Sequence, residues 1–170
     1  MTEDLKDPNR AVEFREFLNK TFYIVGGKLL RKVDVSKSLL KNTEAGTPCK
    51  IGYRQVKVNK ALYYTHRLIF FIEFGFMPTT VDHINGDKSD NRIENLRPAT
   101  YRENNCNVPV RKNNTSGVKG VYWSKTYNTW HARVFKNGIA VKSKHFKNFD
   151  DAVSFRNEAA KKEYGAFVWV

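Results

Sequence analysis

The sequence predicts an α+β chain: N-terminal hairpins and a strand–loop–strand–helix unit, then a three-stranded antiparallel sheet packed on one helix. Three observations carry this. Tyr53–Val58 alternates with period two, and alternation recurs around Ala132–Phe135, as half-buried strands require. The dipeptides Gly26-Gly27 and Asn137-Gly138 sit between strand-like segments, where a tight hairpin needs left-handed backbone. Apolar residues at helical spacing mark 10–20 and about 150–164.

The elements follow in order. After Asp7-Pro8, the residues Ala11, Phe14, Phe17 and Leu18 form the apolar side of a short helix. Phe22–Val25 and Lys28–Val33 make a first hairpin, and polar residues 34–50, with Gly46 and Pro48, read as a loop. Tyr53–Val58 turns through Asn59-Lys60 into Ala61–Thr65. The dense apolar run from His66 to Phe74 reads as a buried helix stopped by Gly75. Residues 108–116 are polar and aperiodic, a linker. Beyond it Gly117–Trp123, Trp130–Phe135 and Ile139–Phe146 are strands. A helix from about Asp150 to Tyr164 then presents Ala152, Val153, Phe155, Ala159, Ala160 and Tyr164, with Gly165 as its stop. Three strands under one helix is a minimal two-layer unit.

Composition narrows the function. The chain has 170 residues and no apolar run long enough to span a bilayer, the longest being Leu68–Ile72 before Glu73. The acidic start Met1–Asp4 lacks the layout of a secretory leader. With only Cys49 and Cys106, neither a four-thiolate zinc site nor a disulfide framework can form. The expectation is a cytoplasmic protein with reduced thiols and no membrane partner. Net charge is +13, unevenly placed: residues 1–106 hold 18 basic against 13 acidic side chains, residues 107–170 hold 12 against 4. No acid lies between Glu103 and Asp150. A basic, aromatic-rich span of that length fits nucleic acid better than a merely solvated surface.

The chemistry concentrates in residues 81–104. Val81 and Ile84 flank Asp82-His83 in a short strand, Asn85-Gly86 opens a polar loop, Ile93–Arg97 returns, and Thr100-x-x-Glu103 is a capping box that starts a helix. This layout lets Asp82, His83, Asn95 and Asn104 converge. Phosphodiester hydrolysis needs a base that is neutral near pH 7, which histidine supplies. It also needs a hard cation, for which Asp and Asn oxygens suit magnesium or manganese. Asn95 either holds the loop or orients His83. Asp87, Asp90 and Asn91 read as turn caps, and a calcium loop fails on register. For His66 a helix-start or packing role stands beside a catalytic one.

These residues resemble the ββα-metal motif of HNH endonucleases of the phage and homing type. His66-Arg67-Leu68, Asp82-His83-Ile84-Asn85-Gly86, Asp90-Asn91, Glu94-Asn95-Leu96 and Arg102-x-Asn104 fall in that family's order and approximate spacing. The resemblance implies His83 as general base, Asn95 as the central Asn, and Asp82 and Asn104 as ligands of one divalent metal ion, magnesium or manganese. It implies a phage or mobile-element homing endonuclease, and host bacterial cytoplasm as its compartment if phage-encoded. The paired Cys that bind structural zinc in some members are absent, so no structural zinc is expected.

Residues 117–165 resemble the DNA-binding domain of plant ethylene-response factors, the apetala-two fold, through Gly117–Val121, Trp130-x-Ala132-x-Val134, Asn137-Gly138, Phe146-x-x-Phe149 and Asp151-Ala152-Val153. That fold lays its sheet in the DNA major groove. If Ala132 and Val134 face the helix, then His131, Arg133 and Phe135 face outward. Arg133, Lys142 and Lys144 are the expected DNA contacts, with Trp123 and Lys125 near the edge; Trp130 fits either face. The expected organisation is a nuclease domain over 1–107, with its ββα motif at about 81–107, the linker 108–116, and a DNA-binding domain over 117–170. Double-stranded DNA is the expected partner, and a homodimer is left open. Two alternatives remain: a DNA-binding regulator with a degenerate nuclease motif, and a nuclease directed at RNA, although the strands lack an aromatic ribonucleoprotein motif.

Overall fold

The computed structural model describes residues 7–168; the acidic start Met1–Asp4 lies outside them. The architecture is α+β, and the chain divides into two compact units, Met1–Asn104 and Asn105–Val170.

In the first unit, α1 (Pro8–Thr21) starts at Asp7, whose side chain accepts from the Asn9 amide at 2.9 Å. Its Leu18 is fully buried, with Ala11 and Phe14 packed against the same core, while Phe17 stays 38% exposed. A hairpin follows, β1 (Phe22–Val25) and β2 (Lys28–Arg31), joined through Gly26 and Gly27. Gly27 has φ +77°, and a Cβ built on it would stand 2.5 Å from the Arg92 amide nitrogen. Only glycine lets this turn lie against the loop that carries Asn91.

The 34–50 stretch is irregular but not wholly a loop. Thr47–Pro48 forms a two-residue strand β3 beside β4 (Arg54–Val58), which pairs with β5 (Ala61–Tyr64). Arg54 explains this order: its guanidinium bonds the Gly46 carbonyl at 2.6 Å and pairs with Glu44 at 3.0 Å. Such long-range polar ties leave no periodic trace in sequence. Helix α2 (Thr65–Phe74) supplies the centre of the core, with Leu68, Ile69, Phe70 and Phe71 all at most 1% exposed, and Gly75 ends it in left-handed conformation. Burying four such side chains contributes roughly 1.5–3 kcal/mol each.

Strand β6 (Thr80–His83) pairs antiparallel with β7 (Leu96–Ala99), in register Asp82 to Arg97 and His83 to Leu96, after a 3-10 turn at Ile93–Asn95. Helix α3 (Tyr101–Cys106) begins at the expected capping box: the Thr100 amide donates to Glu103 Oε2 at 2.7 Å and the Glu103 amide to Thr100 Oγ1 at 3.2 Å.

In the second unit, β8 (Val121–Ser124), β9 (Thr129–Lys136) and β10 (Ile139–Phe146) form an antiparallel sheet of order β10-β9-β8, packed on α4 (Phe149–Tyr164). The first strand starts four residues later than predicted. Ser116 ties the segment into a turn by bonding the carbonyls of Val118 and Val121, and Gly120, at φ +77°, lies so close to the Arg133 carbonyl that a Cβ would sit 2.4 Å from it. Val121, Ala132, Val134, Ala152 and Ala160 are buried between sheet and helix. Trp130 joins that covered side, its ring 4.6 Å from Phe149.

Candidate active site

The β6–β7 hairpin buries two polar side chains side by side in sequence, Asp82 and His83. A buried carboxylate needs a partner, and the cross-strand register supplies one: Arg97 Nε and Nη2 both lie 2.7 Å from Asp82 Oδ2. The Asp82 charge is thus held in place by a guanidinium on the paired strand.

His83 Nε2 lies 2.9 Å from Asn91 Oδ1. An amide oxygen only accepts, so this contact puts the proton of neutral His83 on Nε2 and the lone pair on Nδ1. Asn91 is itself held, its Nδ2 donating to Thr65 Oγ1 at 3.5 Å while the Thr65 hydroxyl donates to the Arg54 carbonyl at 3.3 Å. Burial lowers the His83 pKa below the ordinary 6.5, opposed by the Asn91 bond and by the charges of Asp82, Asp87 and Asp90. The imidazole is therefore uncharged near neutral pH, the form a base requires.

Two rings pack against this group. His66 lies 4.9 Å from His83 and 4.9 Å from Tyr53, and Tyr53 lies 5.8 Å from His83. His66 is buried, and desolvation, then the neighbouring His83 and Arg67, lowers its pKa to about 3. Burial raises the Tyr53 hydroxyl, with Asp82 adding to the effect.

The Asn95 side chain bonds to the loop between the two strands. Its Oδ1 accepts from the Asn85 amide at 3.0 Å, and its Nδ2 donates to Asn85 Oδ1 at 3.0 Å and the Asp90 carbonyl at 2.7 Å. Of the two roles open from sequence, these bonds are those of a loop holder. Asp87 caps the turn at Ser89, and Asp90 holds Arg92 through both oxygens at 2.8 Å, which lowers its pKa strongly. Asn91, read from sequence as one more turn cap, is instead the partner of His83. Its local spelling differs from that of Asp90 only in lacking charge, as Asn85 does too.

Asn104 lies half-buried in α3, its amide bonded to the Thr100 carbonyl at 3.0 Å. Among the described residues no cluster of three or more His, Cys, Asp or Glu side chains could hold a metal ion. The hard oxygens offered here are those of Asp82, one of them already on Arg97, and the Asn104 amide. Donors of this type suit a cation that keeps water and takes phosphate oxygens, as magnesium and manganese do.

The second unit places its expected contacts on different faces. On β9, His131, Arg133 and Phe135 alternate with buried Ala132 and Val134 and so point away from α4. Lys142 and Lys144 pair in register with Val134 and Ala132, so they leave the sheet on its helix side, at the edge strand. Trp123 pairs with Trp130, rings 5.3 Å apart, on that same side. Lys125 follows β8 in the turn before Thr129. The open face instead carries a hydrogen-bonded row that the sequence reading passed over. Arg133 donates to the Tyr122 hydroxyl at 3.3 Å, that hydroxyl meets His131 Nδ1 at 2.8 Å, and His131 Nε2 meets Ser143 Oγ at 2.7 Å. His145 stacks on His131 at 3.9 Å.

Residues 63–106 match the HNH endonuclease family. That segment takes in α2, the β6–β7 hairpin and α3, and so includes His66, Asp82, His83, Asn91, Asn95 and Asn104: the class the site defines is an HNH nuclease domain. The chain is 34% identical over 89 residues to Protein 3.8 of Escherichia phage T7, covering 51% of this chain and 71% of that protein, and so belongs to the family of that protein. It is also 35% identical over 121 residues to an uncharacterized HNH endonuclease of Acanthamoeba polyphaga mimivirus, covering 69% of this chain and 62% of the viral protein. No solved structure matches. Among the described residues no helix is long and apolar enough to cross a membrane.

Proposed function

We propose that the chain is a metal-dependent endonuclease of double-stranded DNA, of the phage or mobile-element homing type, with His83 as its general base. The observation that carries this reading is the buried, neutral imidazole whose Nε2 proton is fixed by Asn91, beside a carboxylate fixed by Arg97. In this reading His83 Nδ1 takes the proton of the attacking water. Asn91 holds the ring, and Asn95 keeps the 85–90 loop closed behind it. Asp82 and Asn104 hold one magnesium or manganese ion, which when bound offsets charge on the phosphate and on the departing 3′ oxygen.

The second unit serves as the DNA grip, over about 117–170, with residues 108–116 leading into it. Its acid-free basic span supports this, as does the exposed face of β8–β10 with Arg133 at its centre. Lys125, Lys142 and Lys144, from the strand edges and a turn, are suited to backbone phosphates, with Trp123 beside them.

Supercoiled plasmid incubated with the protein and magnesium or manganese tests the reading. Nicking or linearisation that disappears with EDTA and in His83→Ala is the expected outcome. An intact plasmid with a clear gel shift, repeated on genomic DNA of a natural host, would leave a binding protein and no nuclease.

A further inference from the structure

Beside His83 the first unit holds a cavity of about 420 Å³, within the size range of small-molecule sites. It shares a wall with the proposed active site: Tyr53 and His66 line it, and both rings pack on His83. Val81, also on the wall, immediately precedes Asp82. Three features mark it as more than a packing defect.

First, flat rings surround it, Tyr53 and Tyr64 with centroids 5.1 Å apart and Tyr101 as a third, 69% exposed. Second, Arg67 lies on the wall. Its guanidinium donates to the carbonyls of Thr79 and Pro78 at 3.1 and 2.9 Å, and among the described residues no carboxylate pairs with it. Burial lowers its pKa, so an anion brought beside it is favoured over bulk water. Third, two buried polar atoms of wall residues, His66 Nδ1 and Thr80 Oγ1, have no hydrogen-bond partner among the described residues. His66 is only 4% exposed. Buried polar groups are seldom left so.

A nucleotide is flat and aromatic, carries hydrogen-bonding edges and bears a negative charge, and so matches all three features. We propose that this cavity is a nucleotide subsite that takes an unstacked base of the strand being cut, next to the scissile phosphate. The base lies among Tyr53, Tyr64 and Tyr101, and Arg67 meets the flanking phosphate. The proposal rests on the nuclease reading, because the shared wall puts whatever occupies the cavity one ring away from His83, the general base of that reading.

The test uses the full chain and 2-aminopurine deoxyribonucleoside 5′-monophosphate, whose fluorescence falls on stacking. Saturable quenching, competed by dAMP and thymidine monophosphate but not by inorganic phosphate, is expected. Two substitutions at exposed wall positions should weaken it about tenfold: Tyr101→Ala, which removes a ring, and Leu62→Trp, which fills the space. Absence of saturable uptake, equal uptake in both variants, or displacement by phosphate alone overturns the subsite. Plasmid cutting in the same preparation separates the two ideas. Cutting without nucleotide uptake removes the subsite and leaves the nuclease, whereas uptake by a protein that never cuts removes the nuclease and retains the cavity.

Discussion

Asn91 Oδ1 holds the Nε2 proton of His83 at 2.9 Å, and both side chains are buried. The contact joins the middle of an Asx-rich loop to the strand in front of it, and it fixes which nitrogen of the ring is basic. Asn91→Ala is expected to lower the cleavage rate about 10- to 100-fold with little change in DNA affinity, since the ring remains but loses its orientation. Single-turnover kinetics beside a gel shift would check this, and a variant that cuts normally would remove Asn91 from the mechanism.

The position of the acid limb in the rate profile follows from the same environment. Burial first, against the opposing Asn91 bond and nearby carboxylates, sets the His83 pKa below 6.5. The competent form is neutral, so the acid limb of the rate profile should have its midpoint below 6.5. A pH profile whose acid midpoint lies at or above 6.5 would contradict this assignment. His83→Ala should cost about 10²- to 10⁴-fold where the wild-type imidazole is neutral, and less on the acid limb, where that imidazole is protonated.

His66 makes a separate statement about stability. Its folded pKa is lowered to about 3 from 6.5, so between these values the unfolded chain binds a proton that the folded chain refuses. Stability is then complete above pH 6.5 and falls as pH drops towards 3, by an amount of the order of 5 kcal/mol across the whole window. His66→Phe, which keeps a ring, should flatten that dependence when unfolding is followed by circular dichroism from pH 3 to 7. Parallel curves for the two proteins would show that His66 is not the group responsible.

Gly27 reaches the site from a distant hairpin. A methyl group there meets the backbone of Asn91 and Arg92 and must also adopt φ +77°. Gly27→Ala is expected to destabilise the fold by about 1–3 kcal/mol. It should also slow cleavage more than Gly138→Ala, whose Cβ meets nothing within 4 Å although its φ is also positive. Thermal melts paired with cleavage rates decide this; equal effects of the two substitutions would mean that only the φ strain matters.

Much of this was legible in the sequence because local rules decided it. The hairpins announced themselves through Gly26-Gly27 and Asn137-Gly138, α3 through Thr100 and Glu103, and the buried α2 through its unbroken apolar run. The strand containing Asp82 and His83 followed from Val81 and Ile84. What could not be read was decided across the fold. The pairing of Asp82 with Arg97 depends on register across fifteen residues, and β3 depends on the reach of Arg54. The choice of Asn91 over Asn95 as the partner of His83 depends on where Thr65 stands, twenty-six residues earlier. In the sheet of the second unit, alternation correctly sent Arg133 outward and Ala132 inward. Lys142 and Lys144 leave the sheet on the opposite side from Arg133, because β10 carries an irregularity between Ala140 and Lys142 that period-two counting does not see.

The row on the open face of that sheet is already tied together before anything docks. Tyr122, His131 and Ser143 are bonded in sequence, Thr129 holds His145 at 2.9 Å, and the two imidazoles lie nearly parallel. Side chains so restrained have little rotamer freedom left to lose. A duplex laid on them would therefore meet a surface whose shape is set in advance, and discrimination between sequences would fall to how well the groove conforms to it.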